Sequence, residues 1–315
     1  MPSHKKQHFI PKTYLSAWCD PTTPDGQTPF VWKIEATTGH AIKKSPEKLF
    51  RETDMYTINM PDGSRDLRIE YGLQQVEQGL ASLRKQFLEP RNIVPDVRRA
   101  KLLAFLSALS ARTPRFRDHH RKQWRKVLKL GEELEASVAK MAPEERRKAP
   151  APLVSSRSSR TMTMDQVKLL VDHPIQVLLP SVIQSELPIL VQMRSIVMFA
   201  PAGSAFITSD NPVSKAHPKS KIHPIYGSPG IAGRDIEITL PLSPRMALMV
   251  CHDQPMSRGL KPIEYFDAPA EAVRQINLRT AAGADEFLVS SAPGPDWAWI
   301  GLERLTQDDD DDDDD

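Results

Sequence analysis

The sequence predicts an α+β protein. Three observations carry this: strand-like patterns near the N-terminus, a long helical-period block in the middle, and a second run of short strands joined by tight turns. The expected layout is an N-terminal β hairpin layer, a large helical middle and a mainly antiparallel C-terminal sheet. No Gly-rich nucleotide loop, P-loop, HExxH or GxSxG motif is present.

Near the start, His8-Phe9-Ile10-Pro11 leads into a short opening helix to Trp18. Pro11 suits its first turn, and Phe9, Tyr14, Leu15 and Trp18 form its apolar face. Residues 30–34 and 41–43 flank Thr37-Thr38-Gly39 and read as a hairpin. Asp54–Ile58 reads as a strand closed by the Pro61-Asp62-Gly63 turn. From Asp66 to about Glu89, Leu67, Leu73, Val76, Leu80, Leu83 and Phe87 recur at helical steps. Further helices begin near Pro95 and after Arg112-Thr113-Pro114, the latter reaching about Met141. Residues 143–162, rich in Pro, Ser, Arg and Lys, read as a mobile excursion. Residues 164–193 read as one or two helices, kinked or broken at proline.

The C-terminal part reads as two hairpins. One pairs residues 195–199 with 205–207, and the other pairs 235–240 with 246–250. A long polar connection over 214–234, a helix from Ala268 to about Ala282 and a last strand at 287–289 complete the chain. One composite domain is expected over residues 1–306, followed by a disordered poly-aspartate tail over 307–315.

At 315 residues and 40% hydrophobic composition, the chain can bury a substantial core. No apolar run reaches membrane-spanning length, and no apolar h-region follows the basic start, so neither a membrane partner nor secretion is expected. Cys19 and Cys251 lack metal spacing and suit a reducing, cytoplasmic compartment. The formal charge of +2 conceals an asymmetry, since Asp308 to Asp315 are eight consecutive aspartates. Without them, 42 basic residues face 32 acids, leaving a body of +10.

Two groups of residues suggest chemistry. The stretch Phe206-Ile207-Thr208-Ser209-Asp210-Asn211-Pro212 delivers short polar groups to a strand end. Together with His8, Glu70, Glu77 and Arg112, Asp210 and Asn211 would supply a base, carboxylates, a cation and amides for hydrolysis. Two carboxylates and a histidine would also suit Mg²⁺, Mn²⁺ or Zn²⁺, although no ligand spacing requires a metal. In the bland reading each residue serves locally, with His8 capping a helix, Arg112 in an ion pair and Asp210 in an Asx turn.

The second group is basic. Between Arg98 and Lys129 stand 11 Lys and Arg and a single acid, Asp118, interleaved with Phe116 and Trp124. Arg115, Arg117, Arg121, Lys122, Arg125 and Lys126 would track a phosphate backbone, or else form a solvated helix face. The acidic tail would then compete for this surface within the chain.

Several pieces occur in an order that resembles an uncharacterised bacterial family, domain of unknown function 4238. They are His8-Phe9-Ile10-Pro11 with Tyr14-Leu15, Asp54-Met55-Tyr56, Glu70 and Glu77, Arg112-Thr113-Pro114, Phe206 to Pro212, Pro241 to Pro244 and a closing helix with Asn277. The resemblance spans roughly residues 8 to 291 and implies fold extent and candidate residues but no reaction. The spacings Arg115-x4-His120 and Arg112-x6-His119 also resemble the motif of the HEPN ribonucleases, which cleave RNA without metal. The leading expectation is therefore a nucleic-acid phosphodiester hydrolase. A non-catalytic binding module for nucleic acid or protein, and a metal-free ribonuclease using Arg115 and His120, are the alternatives.

Overall fold

The computed structural model describes residues 6–60, 62–142, 144, 162–218, 230–252 and 261–293. The poly-aspartate tail, much of the polar connection expected over 214–234 and nearly all of the expected excursion lie outside the described residues. The architecture is α+β, with a helical middle between strand-rich ends.

The N-terminal part contains β1 (Lys6–His8), α1 (Lys12–Leu15), β2 (Val31–Glu35), β3 (Ala41–Lys44), β4 (Arg51–Thr53), β5 (Ile58–Asn59) and β6 (Arg65–Asp66). The middle holds α2 (Arg68–Glu77), α3 (Leu80–Leu83), α4 (Asp96–Ser110), α5 (Pro114–Lys140), α6 (Met164–Asp172) and α7 (Pro174–Leu190). The C-terminal part adds β7 (Arg194–Phe199), β8 (Thr208–Ser209), β9 (Ser214–Ala216), β10 (Glu237–Ser243), β11 (Met246–Cys251), β12 (Glu264–Asp267), α8 (Ala270–Gly283) and β13 (Phe287–Ser290).

Among the described residues, β1 pairs with β4 and β5 with β6 as two-stranded ribbons, while two larger sheets hold most of the strands. One has the order β12-β7-β11-β10-β9 and the other β3-β2-β13-β8. The second joins the N-terminal hairpin to the last described strand, with Lys33 opposite Val289 and Glu35 opposite Phe287. The hairpin is therefore not a separate layer. Pairing is antiparallel except for β12 against β7.

Several local expectations are corrected. His8 ends a strand paired with β4, and the opening helix starts only after Pro11. Residues 54–58 are mostly turn, because Asp54 takes a left-handed backbone, φ 56°. The segment from 66 to 89 is not one helix. Gly79, at φ 91°, separates α2 from α3, and a π-helical turn follows at Arg84–Leu88. Residues 205–207 do not pair with β7. The Ile207 N–H donates to Asn277 Oδ1 at 3.0 Å, and Asn277 Nδ2 donates to the Ala205 carbonyl at 2.9 Å. The side chain of α8 thus takes the place of a neighbouring strand. The 235–250 hairpin forms as expected in β10 and β11.

The start of α5 follows the local sequence: Pro114 occupies N1, and the Thr113 hydroxyl accepts the Phe116 N–H. Tyr14, Trp18, Phe105 and Leu106 are buried in the main core, where α1 meets α4 and the C-terminal sheet. Tyr14 donates to the Pro241 carbonyl at 2.6 Å and lies 2.7 Å from the Thr208 hydroxyl. No helix among the described residues is long and apolar enough to cross a membrane.

Candidate functional site

The expected polar set divides between two places. Arg112, only 3% exposed, leaves the end of α4 and points into the protein. Its Nη1 meets Glu77 at 2.5 Å, its Nε donates to the Tyr56 hydroxyl at 3.2 Å, and its Nη2 donates to the His8 carbonyl. Tyr56 in turn donates to the Arg112 carbonyl at 3.1 Å. Burial works against the guanidinium's charge, but Tyr56 and Glu77 outweigh it and hold its pKa up. Burial raises the Tyr56 phenol to about 12 despite the adjacent arginine.

Glu70 lies to one side of this knot, within electrostatic range of Tyr56, and accepts from Gln74 at 3.4 Å. The His8 ring turns elsewhere, with Nε2 3.0 Å from the Glu47 carbonyl. Burial lowers its pKa, opposed by that hydrogen bond. His8, Glu77 and Arg112 therefore assemble, but through the backbone of His8 rather than its imidazole. The result is a fastening of β1 to α2 and α4.

Asp210 belongs to a second knot. It is 4% exposed and accepts three backbone N–H groups, from Asp285 at 2.8 Å, Glu286 at 2.7 Å and Phe287 at 2.9 Å. Asn211 Nδ2 donates to the Gly283 carbonyl at 2.8 Å, and its own N–H reaches Ser209 Oγ at 3.1 Å. The Ser-Asp-Asn stretch thus clamps the connection between α8 and β13. The local turn expected of Asp210 is instead made by the Ser209 hydroxyl, and the Asp210 carboxylate goes to backbone N–H groups of a remote segment.

Beside that clamp opens a cleft of about 720 Å³, whose lining includes Asp210 but not His8, Glu70, Glu77, Arg112 or Asn211. Its cations come from separate segments: Lys33 on β2, Lys48 and Arg51 around the start of β4, and Arg115 and Arg117 on the first turns of α5. The helix N-terminus adds its partial positive charge. Asp285, Glu286, Glu52 and Asp118 supply the acids, and His119 and Phe287 complete the wall.

Two groups in the cleft, Asp285 and Lys33, are shifted toward their neutral forms, whereas the Arg117–Asp118 pair is shifted toward its charged ones. Burial raises the pKa of Asp285, and the charges of Asp210 and Glu286 add to this against the pull of Arg115. Arg115 Nη1 lies 3.4 Å from Asp285 Oδ1 and donates to the Gly283 carbonyl at 3.2 Å. Lys33 places its ammonium 3.1 Å from the centre of the Phe287 ring. Burial lowers its pKa, and Glu286 partly restores it.

The basic helix has unequal members. Arg117 pairs with Glu52 and with Asp118, the latter at 2.8 Å. Arg121 pairs with Asp118 at 3.3 Å and donates to the Val171 carbonyl at 3.1 Å. Lys122, Arg125 and Lys126 are exposed. Arg115 and His120 stand five residues apart, which turns them about 140° from each other on a helix. Arg115 faces Asp285, whereas the His120 ring packs 4.2 Å from that of Phe116. Among the described residues, no three His, Cys, Asp or Glu side chains group as a metal site.

The family described as protein of unknown function, DUF4238, matches residues 6–293. The chain belongs to this family. No curated protein and no solved structure matches the chain. The Ser-Asp-Asn clamp, the Arg112 knot and the cleft walls all lie within the matched span of DUF4238.

Sequence reasoning missed Lys33, Asp285 and Glu286. A signal for two of them was present: Asp285 and Glu286 sit side by side at the mouth of the last strand. Lys33 carried none, because only tertiary pairing brings it to the cleft, and His119 was marked only by its spacing from Arg112, which does not line the cleft.

Proposed function

We propose that the protein is a hydrolase cleaving phosphodiester or related bonds in nucleic acid, with the 720 Å³ cleft as its site. The observation that carries this reading is the position of Asp285. It is a carboxyl group with its pKa raised beside Asp210, facing cations drawn from separate chain segments. Cations hold a phosphate and offset the charge that grows on it, and an acid with a raised pKa donates a proton to a leaving oxygen.

In this mechanism Arg115, Lys33 and Arg51 take the phosphate oxygens. Water attacks phosphorus, and the bond to the leaving oxygen breaks. The leaving oxygen accepts the Asp285 proton, while the proton of the attacking water passes to His119 at the cleft wall. Solvent then returns both groups to their starting states. Arg112 and Asp210 act as positioning residues, because their polar atoms are engaged by the protein itself. Cys19 and Cys251, half-buried free thiols, suit a cytoplasmic protein.

The test is turnover of bis(p-nitrophenyl) phosphate by the purified protein and by Asp285→Asn. Turnover by the wild type that the variant loses supports the reading, and equal rates overturn it. A second reading is nucleic-acid binding without catalysis, favoured by the engagement of Arg112 and Asp210 in structural contacts. It predicts oligonucleotide binding with no turnover by either protein.

A further inference from the structure

We infer that α5 carries a track for single-stranded nucleic acid that leads into the cleft. This deepens the proposed function and rests on it for the cleft as destination. At 100° per residue, Arg115, His119, Lys122, Lys126 and Lys129 fall within about 80° of arc on α5. Arg115 and His119 already line the cleft. Lys122, Lys126 and Lys129 continue the same line outward, exposed, with no ion pair among the described residues. From Arg115 to Lys129 the rise is about 21 Å, room for a few consecutive phosphates of an extended strand. Glu133 lies on the same line one turn beyond Lys129 and closes it.

A second feature runs alongside. Val127, Leu130 and Leu134 are exposed on α5, on the flank next to the lysine line. A helix presenting cations on one strip and apolar side chains on the adjacent one matches a strand whose phosphates and base faces lie on opposite edges. A duplex presents two phosphate lines and hides its base faces, so it fits one strip only in part. An anionic membrane surface would also meet cations and apolar groups. The line's continuity with a cleft walled by Lys33, Arg51, Arg115 and Phe287 favours the nucleic-acid strand.

The test is fluorescence anisotropy with labelled single strands of about two to about ten nucleotides, the matching duplexes, and anionic phosphatidylserine vesicles. Affinity should climb with strand length and then level off. Single strands should bind tighter than duplexes. Lys122→Glu, Lys126→Glu and Lys129→Glu together should flatten the climb and lower the slope of log affinity against log salt by about 2. The same three positions changed to Ala should give a smaller effect in the same direction.

Affinity independent of length, unchanged binding in both triple variants, or equal binding of duplex overturns the track. So does vesicle binding without oligonucleotide binding. The readout is binding alone. An inert Asp285 would sink the hydrolase reading and leave the track standing, and length-independent binding by an active enzyme would sink only the track.

Discussion

The Asp210 carboxylate accepts the backbone N–H of Asp285 at 2.8 Å while its charge opposes ionisation of the Asp285 side chain. One residue thus fixes the position of its neighbour's backbone and the acidity of its neighbour's carboxyl group.

Removing Asp285's carboxyl should stabilise the fold and stop hydrolysis. A raised folded pKa means the folded state binds more protons than the unfolded state. Stability is therefore lost as pH rises from the ordinary carboxyl range through the raised value. Asp285→Asn should raise the melting temperature at neutral pH and flatten this dependence. In the wild type, turnover should fall as pH rises through the same value, because the proton donor is lost. A melting temperature lowered at pH 7 would contradict the assignment.

Asp210→Asn should separate the two effects of Asp210. The amide keeps one acceptor oxygen but loses the charge, so three N–H groups share weaker acceptance, at a cost of about 3 kcal/mol in unfolding free energy. In the surviving folded protein, the pH at which the proposed turnover declines should move down, since a neighbouring negative charge is gone. Chemical denaturation and a pH–rate profile read the two effects.

Arg112→Met should destabilise by about 3–5 kcal/mol, because it leaves Glu77 without its buried partner and takes the guanidinium donor from the His8 carbonyl. Turnover per folded molecule should persist. A folded variant with normal stability and no turnover would return Arg112 to the reacting atoms.

His8 should impose an acid limit on stability. Its lowered folded pKa means that the unfolded chain takes up its proton first. Stability is intact above the unfolded value near 6.5 and is lost as pH falls toward the lowered folded one. His8→Gln should remove that component of the acid-side slope in urea titrations followed from pH 7 to pH 5.

Deleting Asp308 to Asp315 should strengthen binding to polyanions at low salt, with a gain that shrinks as salt rises. Anisotropy with and without the eight aspartates checks this. Equal low-salt affinities would make the tail a bystander.

What the sequence disclosed follows the range of the interactions. The start of α5 was legible because Thr113 and Pro114 act within one turn, and the β10–β11 hairpin because Ser243-Pro244-Arg245 sets its own corner. Asp210 was legible as a polar group at a strand end, but the local turn expected of it was not what it makes, since its three partners lie 75 to 77 residues downstream. Arg112 was visible as a cation, but its partner Glu77 and the Tyr56 hydroxyl come from remote segments. The parallel strand β12 was missed, since its partner β7 lies far upstream. The cleft was missed for the same reason: Lys33 and Phe287 meet only through the pairing of β2 with β13.

That pairing has a consequence for how the protein comes into being. Its two strands are separated by about 250 residues, which a ribosome making about 5–20 residues per second takes roughly 12–50 s to add. Until β13 emerges, β2 and β3 form only a two-stranded ribbon, which is marginal in water. The Asp285–Phe287 wall of the cleft does not yet exist. A nascent chain that has already made α5 presents Arg115 and Arg117 without the acids Asp285 and Glu286 that face them across the cleft. Birth order thus leaves the cleft incomplete until both of its distant segments have been made.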